Sequence, residues 1–267
     1  MDISKSKELF EVEEVRLSYF VVSGFALSVL SSLILVAAAI GYRWDLWSVK
    51  FALLALTKYA TYGAFAGAAV SLIGVGKSWP GGNSRGLVMS LLGVVIGFGS
   101  FWTIFDHWKM VQTSPFIHDI TTDTNNPPPF SAVVAIRESL NANPHNYEGD
   151  KLALLQRYGG FNEPYKDLSP FIAKSPPSET FDAALKLVEE MGWKIIDVDA
   201  TNGRIEASDT SFWYGFTDDI VIRVVEENGS SRVDIRSLSR VGKSDVGVNA
   251  ARIRSYISAL SGKIEGD

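Results

Sequence analysis

Three long apolar stretches occupy the first 106 residues of this chain of 267, running from about Tyr19 to Ile40, Phe51 to Val75 and Gly86 to Phe105. Each reaches the roughly 20 residues that a helix needs to cross a hydrocarbon core about 30 Å thick. Lipid offers the backbone no hydrogen-bond partners, so a stretch of this kind is committed to a helix, which satisfies its own N–H and C=O groups. Residues 107–267 have ordinary soluble composition. The chain therefore reads as a membrane anchor over residues 1–106 that carries one extramembrane region.

Charge and cysteine usage narrow the partners. After residue 106 there are 17 Lys and Arg against 23 Asp and Glu, a local net of −6. Nucleic-acid modules present a basic face, so no nucleic-acid partner is expected. There is no cysteine, which removes disulfides, thiolate nucleophiles and Cys-ligated metals. The flank before the first stretch carries Lys5, Lys7 and Arg16 against Asp2, Glu8, Glu11, Glu13 and Glu14. A cleaved signal has a positive flank and a shorter apolar run, so the first stretch is expected to stay as an anchor despite Ala37-Ala38-Ala39. With three spans, Lys5, Lys7, Arg16, Lys77 and Arg85 fall on one side, and Arg43, Lys50 and Lys109 on the other. That bias favours a cytoplasmic N-terminus and a periplasmic C-terminal region at a bacterial inner membrane.

Within the anchor, Lys77 to Arg85 reads as a turn between spans two and three. Gly63 with Gly67, and Gly93 with Gly97, form GxxxG elements that let helices approach closely in lipid. They are expected to pack spans two and three together, with oligomerisation as the other reading. Lys58 is the one ionisable residue within a span; near the span's start, it is expected to snorkel to the interface rather than serve transport.

Residues 107–170 form a connecting arm rich in Pro and Asn. Asn125-Asn126-Pro127-Pro128-Pro129 cannot continue a helix. His107, His118 and His145 all lie in this arm. With Asp119 and Asp123, His118 could assemble a metal site, but the spacing follows no established ligand pattern and a structural role is expected. No metal or other cofactor is implied.

Residues 171–267 carry the pattern of an α+β domain. Ser175-Pro176-Pro177-Ser178 opens a helix with Phe181, Ala184, Leu185 and Val188 on one face, ended by Gly192. Strands follow over Trp193–Val198, Arg204–Ser208, Asp219–Val225 and Ser231–Arg240, then a helix from about Asp245 to Leu260. The order α-β-β-β-β-α predicts an antiparallel sheet with both helices on one face. Asn228-Gly229 signals a two-residue hairpin turn, which sets Arg223 opposite Asp234 and Val221 opposite Arg236. Ile220, Ile222, Val224, Val233 and Ile235 then share the core face. Asp219, Arg223, Arg232, Asp234 and Arg236 share the other, expected as a solvated ionic lattice or, alternatively, a recognition face for the arm, the membrane or a partner.

Gly242-Lys243-Ser244 suggests a P-loop, but Ser237 stands where its upstream glycine belongs and the preceding element is a hairpin, so that reading fails. Ser244 or Asp245 is expected to cap the last helix. Arg236, Arg240, Ser244, Asp245, Asn249 and Arg252 form a candidate cluster at that helix N-terminus. The expectation is a network in which Asp245 accepts from Arg240, with an anion site as the sharper alternative.

At these residues the chain resembles the domain of unknown function 1499 family. The resemblance rests on Gly192-Trp193, Gly203-Arg204-Ile205-Glu206-Ala207, Gly215-Phe216-Thr217-Asp218-Asp219-Ile220-Val221-Ile222-Arg223 and Val233-Asp234-Ile235-Arg236-Ser237-Leu238-Ser239-Arg240-Val241-Gly242. It continues through Ser244-Asp245, Gly247 and Asn249-Ala250-Ala251-Arg252-Ile253. Ile117 to Asp123 with Asn126-Pro127-Pro128 looks like the arm of membrane-anchored bacterial members. The likeness covers about residues 115–260 and implies no established reaction, cofactor or active site. The expected function is a non-enzymatic, membrane-anchored extracytoplasmic module that touches membrane lipid and binds a protein or envelope component or supports a membrane complex. The alternatives are a hydrolase or lipid-handling enzyme, or a metal-binding sensor, using Asp218, Asp219, His118 and Asp119.

Overall fold

The computed structural model describes residues 17–79, 84–149, 156 and 165–266. The flank with Lys5, Lys7 and Arg16, the turn residues Pro80 to Asn83, and residues 150–155 and 157–164 of the arm lie outside the described residues. The chain divides into two compact units between Trp108 and Lys109.

The first unit consists of α1 (Tyr19–Arg43), α2 (Lys58–Ser78) with a π-helical lead-in over Phe51–Thr57, and the start of α3 (Ser84–Thr113). All three helices are long and apolar enough to cross a membrane. Small residues set their spacing. A β-carbon on Gly24 would stand 2.5 Å from the Ser71 backbone nitrogen, and one on Gly67 would stand 2.6 Å from that of Ser28. One on Gly97 would stand 2.6 Å from the Ala64 carbonyl oxygen. The two GxxxG elements do not face each other as expected. Gly63 and Gly67 abut Ser31 and Ser28 of α1, whereas Gly93 and Gly97 abut Ser71 and Ala64 of α2. The reason is a third small-residue stripe, Gly24, Ser28 and Ser31, on α1. Lys58 is exposed on the helix surface.

The second unit contains β1 (Asp119–Thr121), α4 (Ala132–Ser139), β2 (Phe171–Ala173), α5 (Pro177–Glu190), β3 (Lys194–Asp199), β4 (Arg204–Thr210), β5 (Thr217–Glu227), β6 (Ser230–Ser239) and α6 (Val248–Glu265). The antiparallel sheet runs β1-β6-β5-β4-β3, and β2 pairs with the other half of the same β6 edge. Asn228 and Gly229 adopt φ of 56° and 78°, and the register they predict is observed: Glu227 faces Ser230, Arg223 faces Asp234 and Val221 faces Arg236.

One sheet face, bearing Ile205, Ile220, Ile222, Val233 and Ile235, packs under α5 and α6 through Phe181, Leu187, Val188, Ile253 and Leu260. Tyr256 crosses this core and donates to the Ala184 carbonyl at 2.8 Å. The mixed α+β class with two helices on one face follows. Two features go beyond the expected order. Residues 119–173 contribute two strands to the sheet, and α4 covers the opposite face, where Phe130, Val133, Val221 and Leu238 form a second apolar cluster. α6 begins three residues later than expected, because Val246 and Gly247 take left-handed φ of 55° and 83° that no helix accepts.

Candidate functional site

The face under α4 is built by strand pairing. Arg204, Arg223 and Asp234 lie side by side across β4, β5 and β6, as do Glu206, Val221 and Arg236. Ser208, Asp219, Leu238 and Asp119 form the next row. Alternation along each strand puts all of them on one side. This face is not the solvated lattice expected. Glu206, Asp219 and Asp234 are fully buried, and Asp119 and Arg236 nearly so, because the segment from Asp119 to Tyr147 closes over them.

Each buried charge has a partner from that segment. Arg236 donates from Nε to Asp119 Oδ1 at 2.8 Å and from Nη2 to Oδ2 at 2.7 Å. It also reaches the carbonyls of Pro128 and His145. Its guanidinium lies 4.9 Å from the Phe130 ring centroid and 5.3 Å from that of Tyr147, an arrangement that favours a cation between π faces. Burial raises the Tyr147 phenol above its ordinary pKa.

Asp219 lies diagonal to Arg236 across β5 and β6, but its hydrogen bonds come from Arg137 at 2.6 Å, Arg240 at 2.7 Å and the Ser208 hydroxyl at 2.7 Å. Arg137 also donates to the carbonyls of Asn143, Leu238 and Ser239; burial lowers its pKa, opposed by Asp219. Glu206 accepts from the backbone N–H groups of Ser131, Ala132 and Val133 at 2.7, 3.2 and 2.9 Å. A carboxylate from β4 thus satisfies the orphan donors of α4's first turn and meets its positive dipole end. Asp234 is held by Arg223 at 2.7 Å and by Arg232 at 3.0 Å. Asp234 raises the Arg232 pKa above its usual value. Both arginines also reach Asp123.

The candidate cluster of Arg236, Arg240, Ser244, Asp245, Asn249 and Arg252 is divided by the sheet. Arg236 and Arg240 point into the face just described. Ser244, Asp245, Asn249 and Arg252 lie on the α6 side, where Arg252 pairs with Asp209 and Asp218, each at 2.8 Å. Asn249 links Ser237, Ser239 and the His118 carbonyl. The expected contact from Arg240 to Asp245 is absent, because even-numbered β6 side chains point away from the helix. Asp245 does serve the helix start: it accepts from Gly247 N and Asn249 N, each at 2.9 Å. It therefore occupies the donors an anion would need. Burial raises its pKa.

The same alternation separates Asp218 from Asp219, so they cannot act as a carboxylate pair. Asp119 is committed to Arg236, Asp123 to Arg232 and Arg223. Among the described residues no group of three or more His, Cys, Asp or Glu side chains is gathered to hold a metal ion. A groove of about 430 Å³ opens at the far end of the sheet between the start of α5 and the β3–β4 turn, lined by Phe181, Asn202, Val224 and Glu226 among others.

Sequence reasoning missed Arg137, Glu206 and Gln156 as members of this architecture. Gln156 pairs with both the N–H and the C=O of Thr121, at 3.1 and 2.6 Å, as a neighbouring strand would. Arg137 carried one usable signal: it stands four residues after Val133, on the buried side of a short helix. Glu206 carried only the alternation of its strand, on the face opposite Ile205 and Ala207.

These features define a class: an α+β domain clasped by its own leading segment and joined to three helices long and apolar enough to span a membrane. The chain belongs to the family described as protein of unknown function DUF1499, whose model matches residues 119–260. The match opens at the first residue of β1, so it takes in the clasp as well as the sheet. No curated protein matches the chain.

Proposed function

We infer that the chain is a non-enzymatic module anchored in a bacterial inner membrane, whose C-terminal domain, on the periplasmic side, binds a protein or envelope component or supports a membrane complex. The observation that carries this reading is the closure of the polar face. General acid–base work requires a carboxyl or imidazole group that can reach a substrate proton. Asp119, Asp219 and Asp234 are instead at most 1% exposed and hydrogen-bonded by arginines of the same domain. Chemistry-bearing residues so engaged stiffen a scaffold, and a stiff scaffold suits a contact role. Support for the periplasmic side is the charge count: five Lys and Arg flank the spans on the N-terminal side against three on the other.

Proximity labelling tests this reading. A labelling enzyme at the C-terminus of the full chain should mark a small set of envelope proteins not marked by residues 1–113 carrying the same enzyme. Identical profiles from the two would contradict a binding role for the domain.

A further inference from the structure

The β4–β5 connection reads Ser211-Phe212-Trp213-Tyr214-Gly215-Phe216, four aromatic residues among six. The loop is built to divide them. Ser211 N donates to the Phe216 carbonyl at 2.8 Å, Phe216 N donates back to Ser211 Oγ at 3.0 Å, and Gly215 takes a φ of 73°. Tyr214 and Phe216 stack against each other at 5.3 Å with their planes 5° apart. Phe212 and Trp213 are turned outwards, 89% and 46% exposed. Clustered exposed aromatics of this kind mark an interaction surface.

The rest of this edge has the same character. Arg240 N donates to the Thr217 carbonyl, Ser244 Oγ to Pro115, and Asp245 N to Ile117. These bonds gather the β4–β5 turn, the β6–α6 loop and residues 115–117 at one end of the sheet. Phe116, Val241 and Val248 there are exposed. Residues 211–217 and 240–244 contain no acidic residue, and Lys243 is exposed. Pro115, fastened to this edge, follows the end of α3 at Thr113 by two residues. It follows Trp108, a residue type that favours the membrane interface, by seven residues.

We propose that this aromatic edge is a bilayer-docking surface, with Phe212 and Trp213 seated among the lipid headgroups and upper acyl chains. Aromatic side chains favour that depth, and the acid-free β4–β5 turn beside the exposed Lys243 suits a phospholipid surface. Because the domain and the helices belong to one chain, docking would be intramolecular in effect and would need little affinity. The proposal rests on the three helices crossing a bilayer and is indifferent to which side the domain occupies.

The chain has no cysteine, so single-site labelling is direct. The full chain is reconstituted in phosphatidylcholine–phosphatidylglycerol nanodiscs containing lipids spin-labelled near the headgroup. An apolar fluorophore is attached in turn to Phe212→Cys, to Thr201→Cys at the opposite end of the sheet, and to Leu54→Cys on the exposed surface of the second span. Quenching at residue 212 should exceed that at residue 201 by about threefold or more, as interfacial burial of one site alone requires. In the background Phe212→Ser with Trp213→Ser, a label at Val241→Cys should lose most of its quenching. Equal, weak quenching at 212 and 201 with strong quenching at 54 overturns the docking surface and leaves the anchor standing. No quenching at 54 removes the anchor itself. Shielding of residue 212 only in native membranes, and not in lipid alone, would assign the edge to a protein partner and overturn the proposal.

Discussion

Asp119→Ala removes one carboxylate and leaves a guanidinium buried beneath α4. Arg236 and Asp119 are 2% and 1% exposed and share two hydrogen bonds of 2.8 and 2.7 Å. Deleting one partner of a buried ion pair costs about 3–5 kcal/mol, chiefly because the survivor stays desolvated without its counter-charge. Here the surviving cation keeps the His145 carbonyl at 2.8 Å, the Pro128 carbonyl at 3.3 Å and two aromatic faces. Those contacts partly solvate it, so the expected loss is about 3 kcal/mol, the lower end of that range. Arg236→Met should cost a similar amount, because it strands Asp119. The double variant should be less damaging than the sum of the two by about 2 kcal/mol, since neither charge is then left alone. Urea unfolding of residues 109–267, followed by tryptophan fluorescence, measures all three. A loss under about 1 kcal/mol for Asp119→Ala, or strict additivity, would refute the claim that this pair fastens the leading segment to the sheet.

Asp234, buried and shared by Arg223 and Arg232, should lose about 3 kcal/mol on replacement by Ala, well beyond the 0.2–1 of an exposed cross-strand pair; urea midpoints check it. Asp245→Ala should cost about 1 kcal/mol through the lost helix-start acceptor, read by thermal melting. The Asp245 pKa is raised by burial above 3.8, so the folded state binds that proton more tightly than the unfolded chain. Its contribution is complete below 3.8 and is lost as pH rises through the folded value. The stability of Asp245→Asn relative to wild type should therefore climb with pH across that window, and a flat difference would contradict the burial argument. Reporter fusions at Asp45, in the loop after Trp79 and at the C-terminus should be active outside, inside and outside the cytoplasm respectively; the reverse pattern inverts the orientation.

The three long apolar helices were legible because length and apolarity alone mark them. The hairpin register was legible because Asn228-Gly229 admits one pairing, and pairing fixes which side chains share a face. What covers that face was not. Period-2 alternation reveals that Asp219, Asp234 and Arg236 lie together, but not whether water or protein meets them. The covering elements are weak local signals: β1 and β2 have three residues each, too few to alternate, and α4 has eight. Asp119 and Arg236 are separated by 117 positions, beyond any spacing rule. The candidate cluster failed for a related reason. Arg240 and Asp245 are near in sequence, yet strand parity sends Arg240 to Asp219 on one face, while the loop through Gly242, with its φ of 94°, brings Asp245 to the helix start on the other.

The most direct test of the account is whether the sheet folds without its clasp. Residues 109–267 and 171–267 should be compared by urea unfolding and by near-ultraviolet circular dichroism. With Glu206, Asp219 and Arg236 deprived of α4, Arg137 and Asp119, the shorter chain should show no cooperative transition, while the longer one unfolds in a single step. A shorter chain that unfolds cooperatively at the same midpoint would show that the buried charges do not depend on residues 109–170, and would contradict the account.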